Sequence, residues 1–330
     1  VLRFRKSHVV LFITVAVIFT LAMSSNCWAA EVGEVTKSVD SPPVWLWPSL
    51  LFVFALAIGL VAPISGVGGG VLFVPLATVF FPFNIDFIRG TGIVMALVSA
   101  QSSAPHLIKN GLANLRVMAP VAVVSIITSM IGSLCGIWLT NAFPSGEHYV
   151  TIALGVLLFG IFVVMVRSSN AKYPKVEEAG TVASALKLCG VWYEHDIGRM
   201  VEYKCTNLRW GLLCFAGVGF VAGMFGVGAG WASVPVLNLI MGVPIKVAAA
   251  TSMGIITVNG AAATWIYLAN GAILPFIVVP SVIGVTIGAR IGARVAHRAK
   301  PVYAKYLVLG VMLFAGAMNI YKGCSNLNLF

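Results

Sequence analysis

The sequence predicts an all-α polytopic membrane protein with two inverted repeats of about five membrane elements each, broken by glycine-rich helical hairpins. Three observations predict it. First, 59% of the 330 residues are hydrophobic and only 9% are charged. Apolar runs near 45–64, 90–108, 117–141, 149–166, 210–225, 248–268, 273–296 and 303–321 mostly reach the roughly 20 residues that a helix needs to cross the bilayer core. Second, the chain matches itself at a shift of 160 residues. Gly66-Val67-Gly68-Gly69-Gly70 with Pro75 recurs as Gly226-Val227-Gly228-Ala229-Gly230 with Pro235, and Thr91, Asn110-Gly111 and Pro120 meet Thr251, Asn270-Gly271 and Pro280 without a gap. Soluble solenoids repeat every 20 to 50 residues or so, whereas this repeat is a half-molecule, as in transporters built from two halves. Third, equivalent loops of the two halves carry opposite basic content.

In chain order, residues 1–30 place Arg3, Arg5 and Lys6 ahead of an apolar stretch from Val9 to Met23, followed by Ser24-Ser25-Asn26-Cys27-Trp28-Ala29-Ala30 with small Cys27 and Ala29 at the positions a cleavage site prefers. That is the pattern of a signal peptide cleaved after Ala29, or of an uncleaved signal anchor; either leaves residues 31–44 outside. The first repeat is expected over 45–168. Its apolar stretch from Trp45 to Pro82 is too long for one crossing and short for two, so a hairpin with arms near 45–64 and 70–82 is the natural solution. Three further helices bring the count to five, and an odd count inserts the second repeat, 210–322, upside down.

The charges agree with that inversion, because basic residues mark cytoplasmic helix ends. Lys109 and Arg116 follow the third element of the first half, while the matching stretch Ala269–Ile273 is uncharged. Conversely Glu147 and His148 are matched by a loop region with Arg298, Lys300 and Lys305. The connector 169–209, with Lys172, Lys175, Lys187, Arg199, Lys204 and Arg209, then lies in the cytoplasm and the tail 323–330 lies outside. Within the connector, Leu186 to Leu208 mixes aromatic and β-branched residues and could form a small β-hairpin, read as a tether between the halves with a gating element as the alternative. The net charge of +11 is explained by this topology and gives no reason to expect a nucleic-acid partner. The expected partners are the lipid bilayer and a small anion, with a homo-oligomer left open.

Cysteines at 27, 135, 189, 205, 214 and 324 form no C-x-x-C pair and support neither a metal site nor a disulfide framework. No H-E-x-x-H, phosphate-binding loop with lysine or helix-embedded triad is present, so no catalytic residue and no cofactor is expected. All ten acidic residues fall outside the expected membrane interior, which leaves no buried carboxylate for a proton relay.

Glycine clusters at mid-membrane depth persist only where they are buried in protein or line a polar cavity. Broken helices there present N-termini whose free N–H groups and positive dipole ends suit an anion. Arms starting at Gly70 and Gly230 would aim at one shared site, with Ser65, Gly66, Gly68, Gly69, Gly226 and Gly228 around it. Thr91, Gln101, Trp231, Thr251, Ser252 and Asn259 complete the candidate substrate-binding set, and Ser99, Ser102 and Ser103 are weaker candidates. The competing reading makes the glycines close helix-packing positions and has the hydroxyls bond their own backbone. Arg290, Arg294 and Arg298 stand at i, i+4, i+8 spacing and read first as interfacial anchors, as does His106.

The two glycine blocks, Val71-Leu72-Phe73-Val74-Pro75 after the first, Pro235 after the second and Ala250-Thr251-Ser252 resemble the TauE/SafE sulfite exporter family over about residues 45–320. The resemblance implies a multi-pass permease of the bacterial inner membrane that exports sulfite, sulfoacetate or a related organosulfur anion. An inside-negative potential drives an anion outward by about 2.3 kcal/mol per charge per 100 mV, so export could run on the potential without a coupling ion. Two alternatives remain: a channel-like anion pore, and a membrane-embedded thiol-dependent enzyme using Cys135 as its deep cysteine.

Overall fold

The computed structural model describes residues 46–65, 68–109, 113–143, 145–167, 189–194, 199–296 and 301–326. The expected signal segment, external segment and extreme tail, together with Gly66 and most of the connector, lie outside the described residues. The elements are α1 (Leu46–Ser65), α2 (Gly69–Phe80), α3 (Ile85–Lys109), α4 (Leu115–Ala142), α5 (Gly146–Arg167), β1 (Cys189–Glu194), β2 (Arg199–Lys204), α6 (Leu208–Phe225), α7 (Gly230–Pro235) continued by a π-helical turn (Val236–Ile240), α8 (Ile245–Ala269), α9 (Pro275–Ala296) and α10 (Pro301–Asn326). Six of these helices contain stretches long and apolar enough to cross a membrane, and α1, α2 and α7 with its π turn are shorter apolar pieces. The 160-residue shift of the sequence is visible in the elements: α3 begins at Ile85 and α8 at Ile245, α4 at Leu115 and α9 at Pro275.

Both glycine blocks fold their chain back on itself. In the first half, Trp47 at the start of α1 packs its ring 6.2 Å from Phe81, just past the end of α2, and 5.6 Å from Phe83. In the second, the amide of Thr206, ahead of α6, donates to Met241 O at 3.0 Å, just past the π turn. Each half therefore opens with a helical hairpin whose tip is the glycine block.

Repeat-equivalent helices of the central pair run antiparallel to each other. Near the start of α3, a Cβ on Gly90 would lie 2.2 Å from Ala272 O beyond the end of α8, and beyond the end of α3 the Asn114 amide donates to Thr251 Oγ1 near the start of α8. The last helices behave alike, Gly155 of α5 meeting Ile320 of α10 and Gly323 of α10 meeting Ile152 of α5.

The first helix of each half packs against the fourth helix of the other. Gly284, Gly288 and Gly292 of α9 lie against the Phe52, Leu56 and Leu60 carbonyls of α1, and Gly132 and Gly136 of α4 lie against the Phe220 and Met224 carbonyls of α6. Small residues allow backbones to approach this closely where lipid supplies no hydrophobic drive for association. The outer faces carry the large residues: Val123, Ile127, Ile131, Leu134 and Trp138 of α4 are exposed, while Ser125, Ser129 and Ser133 of the same helix are buried. A Cβ on Gly132 would sit 2.1 Å from Phe220 O, whereas Gly160 on α5 has nothing within 4 Å. Gly132→Val should therefore cost at least the roughly 1–3 kcal/mol of an overpacked core and lower the thermal midpoint in detergent, while Gly160→Val should leave it unchanged by comparison.

The expected hairpin in the connector is present: β1 and β2 pair antiparallel, with Cys189 opposite Lys204 and Glu194 opposite Arg199. Buried Tyr203 docks it, since its hydroxyl accepts from Asn114 Nδ2 at 2.8 Å. Asn114 also caps α4, its Oδ1 accepting from the amides of Arg116 and Val117.

Candidate functional site

The two hairpin tips meet on α3. A Cβ on Gly70 would lie 2.5 Å from Gly92 O, 3.0 Å from the Ala96 methyl and 3.2 Å from Val227 O of the opposite tip. From the other side, Gly226 O lies 2.8 Å from a Cβ placed on Gly92, and a Cβ on Gly228 would come within 2.8 Å of the Ala96 methyl. Glycine is required twice over at these tips. Gly226 and Gly228 take φ of +66° and +73° and Gly68 takes +60°, which side chains with a Cβ rarely adopt. Gly68 differs in that nothing among the described residues lies within 4 Å of its would-be Cβ, so it borders open space there.

Beyond each turn a new helix starts, α2 after Gly68 and α7 after Ala229, and neither receives a side-chain cap. Helix N-termini leave their first amides without intrahelical acceptors. Trp231 follows directly, half-buried between the two main apolar clusters, and its buried Nε1 has no partner among the described residues. An indole N–H can only donate, and buried polar atoms in folded proteins nearly always have a partner. The arrangement can present donors to an acceptor-rich species.

The other expected site residues are distributed more widely. Gln101 on α3 is half-buried and Gly69 and Gly230 open their helices; Ser65 ends α1. Thr91 and Thr251 are fully buried, but the Thr91 hydroxyl donates to Phe87 O at 2.7 Å and Thr251 Oγ1 caps the loop before α4 as described. Ser252 donates to Ala249 O at 2.8 Å. The Thr91 and Ser252 hydroxyls have the local backbone partners common to membrane helices, whereas Thr251 Oγ1 accepts from the amide of Asn114 in the other half. Asn259 donates from Nδ2 to Ser125 Oγ at 2.7 Å, while its buried Oδ1 has no partner among the described residues. Arg290 is exposed on α9, while Arg298 falls outside the described residues.

Cys135 is not deep. It is exposed on the outer face of α4, beside exposed Leu134 and Trp138. Periodicity could not place it, because in this protein the buried face of α4 carries glycine and serine. Cys135→Ser should leave transport within about twofold of the parent chain, the ordinary range for an exposed side chain with no special role; an initial-rate flux assay checks it.

The residue that sequence reasoning missed is Arg89, fully buried near the start of α3. It pairs with Asp86 one turn back, donates from Nη1 to Met224 O at 2.9 Å and from Nη2 to Thr140 Oγ1 at 2.7 Å and Gly136 O at 3.3 Å. Tyr267 of α8 joins it, its hydroxyl reaching Gly223 O at 2.8 Å and Met224 O at 3.2 Å. The start of the second apolar run near residue 90 put Arg89 just outside it, although an arginine one turn after an aspartate at the edge of a membrane helix is itself a signal.

A family model described as Sulfite exporter TauE/SafE matches residues 51–319. The chain belongs to this family. The match spans both hairpins and both helix sets, and six helices of spanning length make the chain a multi-pass membrane protein of a transporter family. Relatives carry compatible names. "Probable membrane transporter protein YunE" of Bacillus subtilis is 26% identical over 281 residues, 83% of this chain and 97% of its own length. "Probable membrane transporter protein MJ0441" of Methanocaldococcus jannaschii is 24% identical over 212 residues, 63% of this chain and 67% of its own length. No solved structure matches the chain.

Proposed function

We propose that this protein exports a small sulfur oxyanion, of the sulfite or sulfoacetate kind, across the bacterial inner membrane, and that the anion binds between the two glycine tips. The observation that carries this reading is the convergence of Gly70 and Val227 beside Gly92 and Ala96, with two uncapped helix starts and the unpartnered Trp231 Nε1 nearby. Helix N-termini favour negative charge through their dipole and free amides together. The family's name supplies the substrate class.

The antiparallel packing of equivalent helices supports opposite insertion of the two halves, with the end where α3 begins and α4 finishes outside. A site at the meeting point of the two repeats is the arrangement that permits alternating access by rocking one half against the other. The driving force is the membrane potential, which favours outward movement of an anion by about 2.3 kcal/mol per charge per 100 mV.

Labelled sulfite efflux from proteoliposomes under an imposed potential tests the proposal, with sulfate, thiosulfate, sulfoacetate and taurine as competitors. Saturable, potential-dependent sulfite flux is expected. Flux linear in concentration would favour the pore, and a requirement for a proton or sodium gradient at clamped potential would overturn the proposed driving force.

A further inference from the structure

We propose that Arg89 and Tyr267 are positioning residues of the transport site, which keep the second glycine tip receptive to an anion by occupying the carbonyl end of α6. This rests on the reading of the tips as the anion site.

The problem they solve is electrostatic. At the second tip only four residues separate the C-terminal end of α6 from the N-terminal start of α7, Phe225 and Gly230 closing and opening the two helices. A helix C-terminus carries about half a negative charge and an N-terminus about half a positive one. Left alone, the two ends would nearly cancel for a ligand at the turn. The last carbonyls of α6 also lack intrahelical donors, and the nearest donors in the chain are the amides of the turn and the first turn of α7. Closing the α6 terminus on those amides would consume the groups that an anion needs.

The structure supplies other donors. Gly223 O takes the Tyr267 hydroxyl, and Met224 O takes both that hydroxyl and Arg89 Nη1. The Arg89 backbone lies at the same place: a Cβ on Gly226 would be 2.2 Å from Arg89 O, so α3 seats the left-handed turn while its side chain satisfies the preceding carbonyls. On the far side of the guanidinium, Asp86, Thr140 Oγ1 and Gly136 O hold Nη2, which fixes the fork's direction. The planar guanidinium can serve both sides at once, which a lysine ammonium cannot do with the same geometry.

The device belongs to one half only. Shifted by the repeat, Arg89 and Asp86 fall on Ala249 and Lys246, and Tyr267 and Thr140 fall on Leu107 and Lys300. The two tips are thus related in backbone and unlike in electrostatic support.

The test compares Tyr267→Phe, which keeps the ring and removes the donor, and Arg89→Lys, which keeps the charge and removes the fork, with the parent chain in proteoliposomes of the full protein. A positioning role predicts that KM for sulfite rises at least threefold in Tyr267→Phe and at least tenfold in Arg89→Lys, while Vmax per inserted molecule changes less than twofold, since lost ground-state ordering acts on KM. Amide hydrogen exchange over 222–232 should accelerate at least tenfold in Tyr267→Phe, with α5 and α10 unaffected, reporting local opening. Unchanged KM together with unchanged exchange in that segment overturns the proposal. So does a fall in Vmax or folded yield at constant KM, the pattern of a purely structural role. If the parent chain shows no saturable sulfite flux, the anion site itself fails, and exchange over 222–232 alone then decides whether these residues hold the tip.

Discussion

Gly68→Leu should abolish sulfite flux, lowering it more than tenfold, while the protein still inserts and remains folded. The position combines two properties. Its φ of +60° makes any side chain strained, at a cost of about 1–3 kcal/mol, yet nothing among the described residues lies within 4 Å of the would-be Cβ. A leucine therefore meets no backbone and projects into the space that the proposed anion occupies. Gly68→Ala supplies the control, because it carries the same backbone strain with little added volume and should retain a substantial part of the flux. Gly228→Leu should also stop transport, with a larger loss of stability, because a Cβ there already comes within 2.8 Å of the Ala96 methyl at a φ of +73°. Equal flux in the leucine and alanine variants at position 68 would mean that the space beside it is not used by the substrate.

Arg89→Met should be the most destabilising single change among the polar residues described. It removes a fully buried cation and takes the guanidinium from Asp86, Thr140 Oγ1 and Gly136 O, leaving Met224 O with the Tyr267 hydroxyl alone. Breaking a buried pair by removing one partner typically costs about 3–5 kcal/mol, whereas replacing both partners with apolar residues is often neutral. The thermal midpoint in detergent should accordingly drop steeply in Arg89→Met and recover in part in Asp86→Leu/Arg89→Met. A double variant as unstable as the single one would show that the carbonyl contacts to α6, and not the ion pair, dominate the cluster.

Much of the architecture is legible in the sequence because it is written in backbone-determining residues. The glycine blocks recur at one spacing, and the structure turns the chain at both of them, with Trp47 against Phe81 in one hairpin and Thr206 against Met241 in the other. The helices follow the same shift because Asn, Gly and Pro punctuate both copies alike. Side-chain placement is less legible, for a physical reason. In a soluble helix the apolar face is the buried face, but α4 buries Ser125, Ser129 and Ser133 and exposes Ile127, Leu134 and Trp138, as lipid-facing helices do. Apolar periodicity then carries no inward direction, and Cys135 is misread as deep.

The candidate site divides along the same line. Gly226 and Gly228 hold turns that their positive φ reserves for glycine, and Gly70 joins them because a residue without Cβ can approach Gly92 O this closely. The matched threonines Thr91 and Thr251 invite a symmetric role, but one hydroxyl bonds its own helix and the other caps the loop before α4. Arg89 and Tyr267 have no counterpart in the opposite half, so repetition could not reveal them. The repeat records what the two halves share, and the buried cluster at the second tip is where they differ.

The central claim is that both tips form one anion site. It is tested most directly by equilibrium binding of radiolabelled sulfite to the purified protein, with Gly68→Leu and Gly228→Leu measured alongside. A shared site predicts one saturable binding event per chain, lost in each variant. Saturable binding that survives in both variants, or two sites of which each variant removes one, would contradict it.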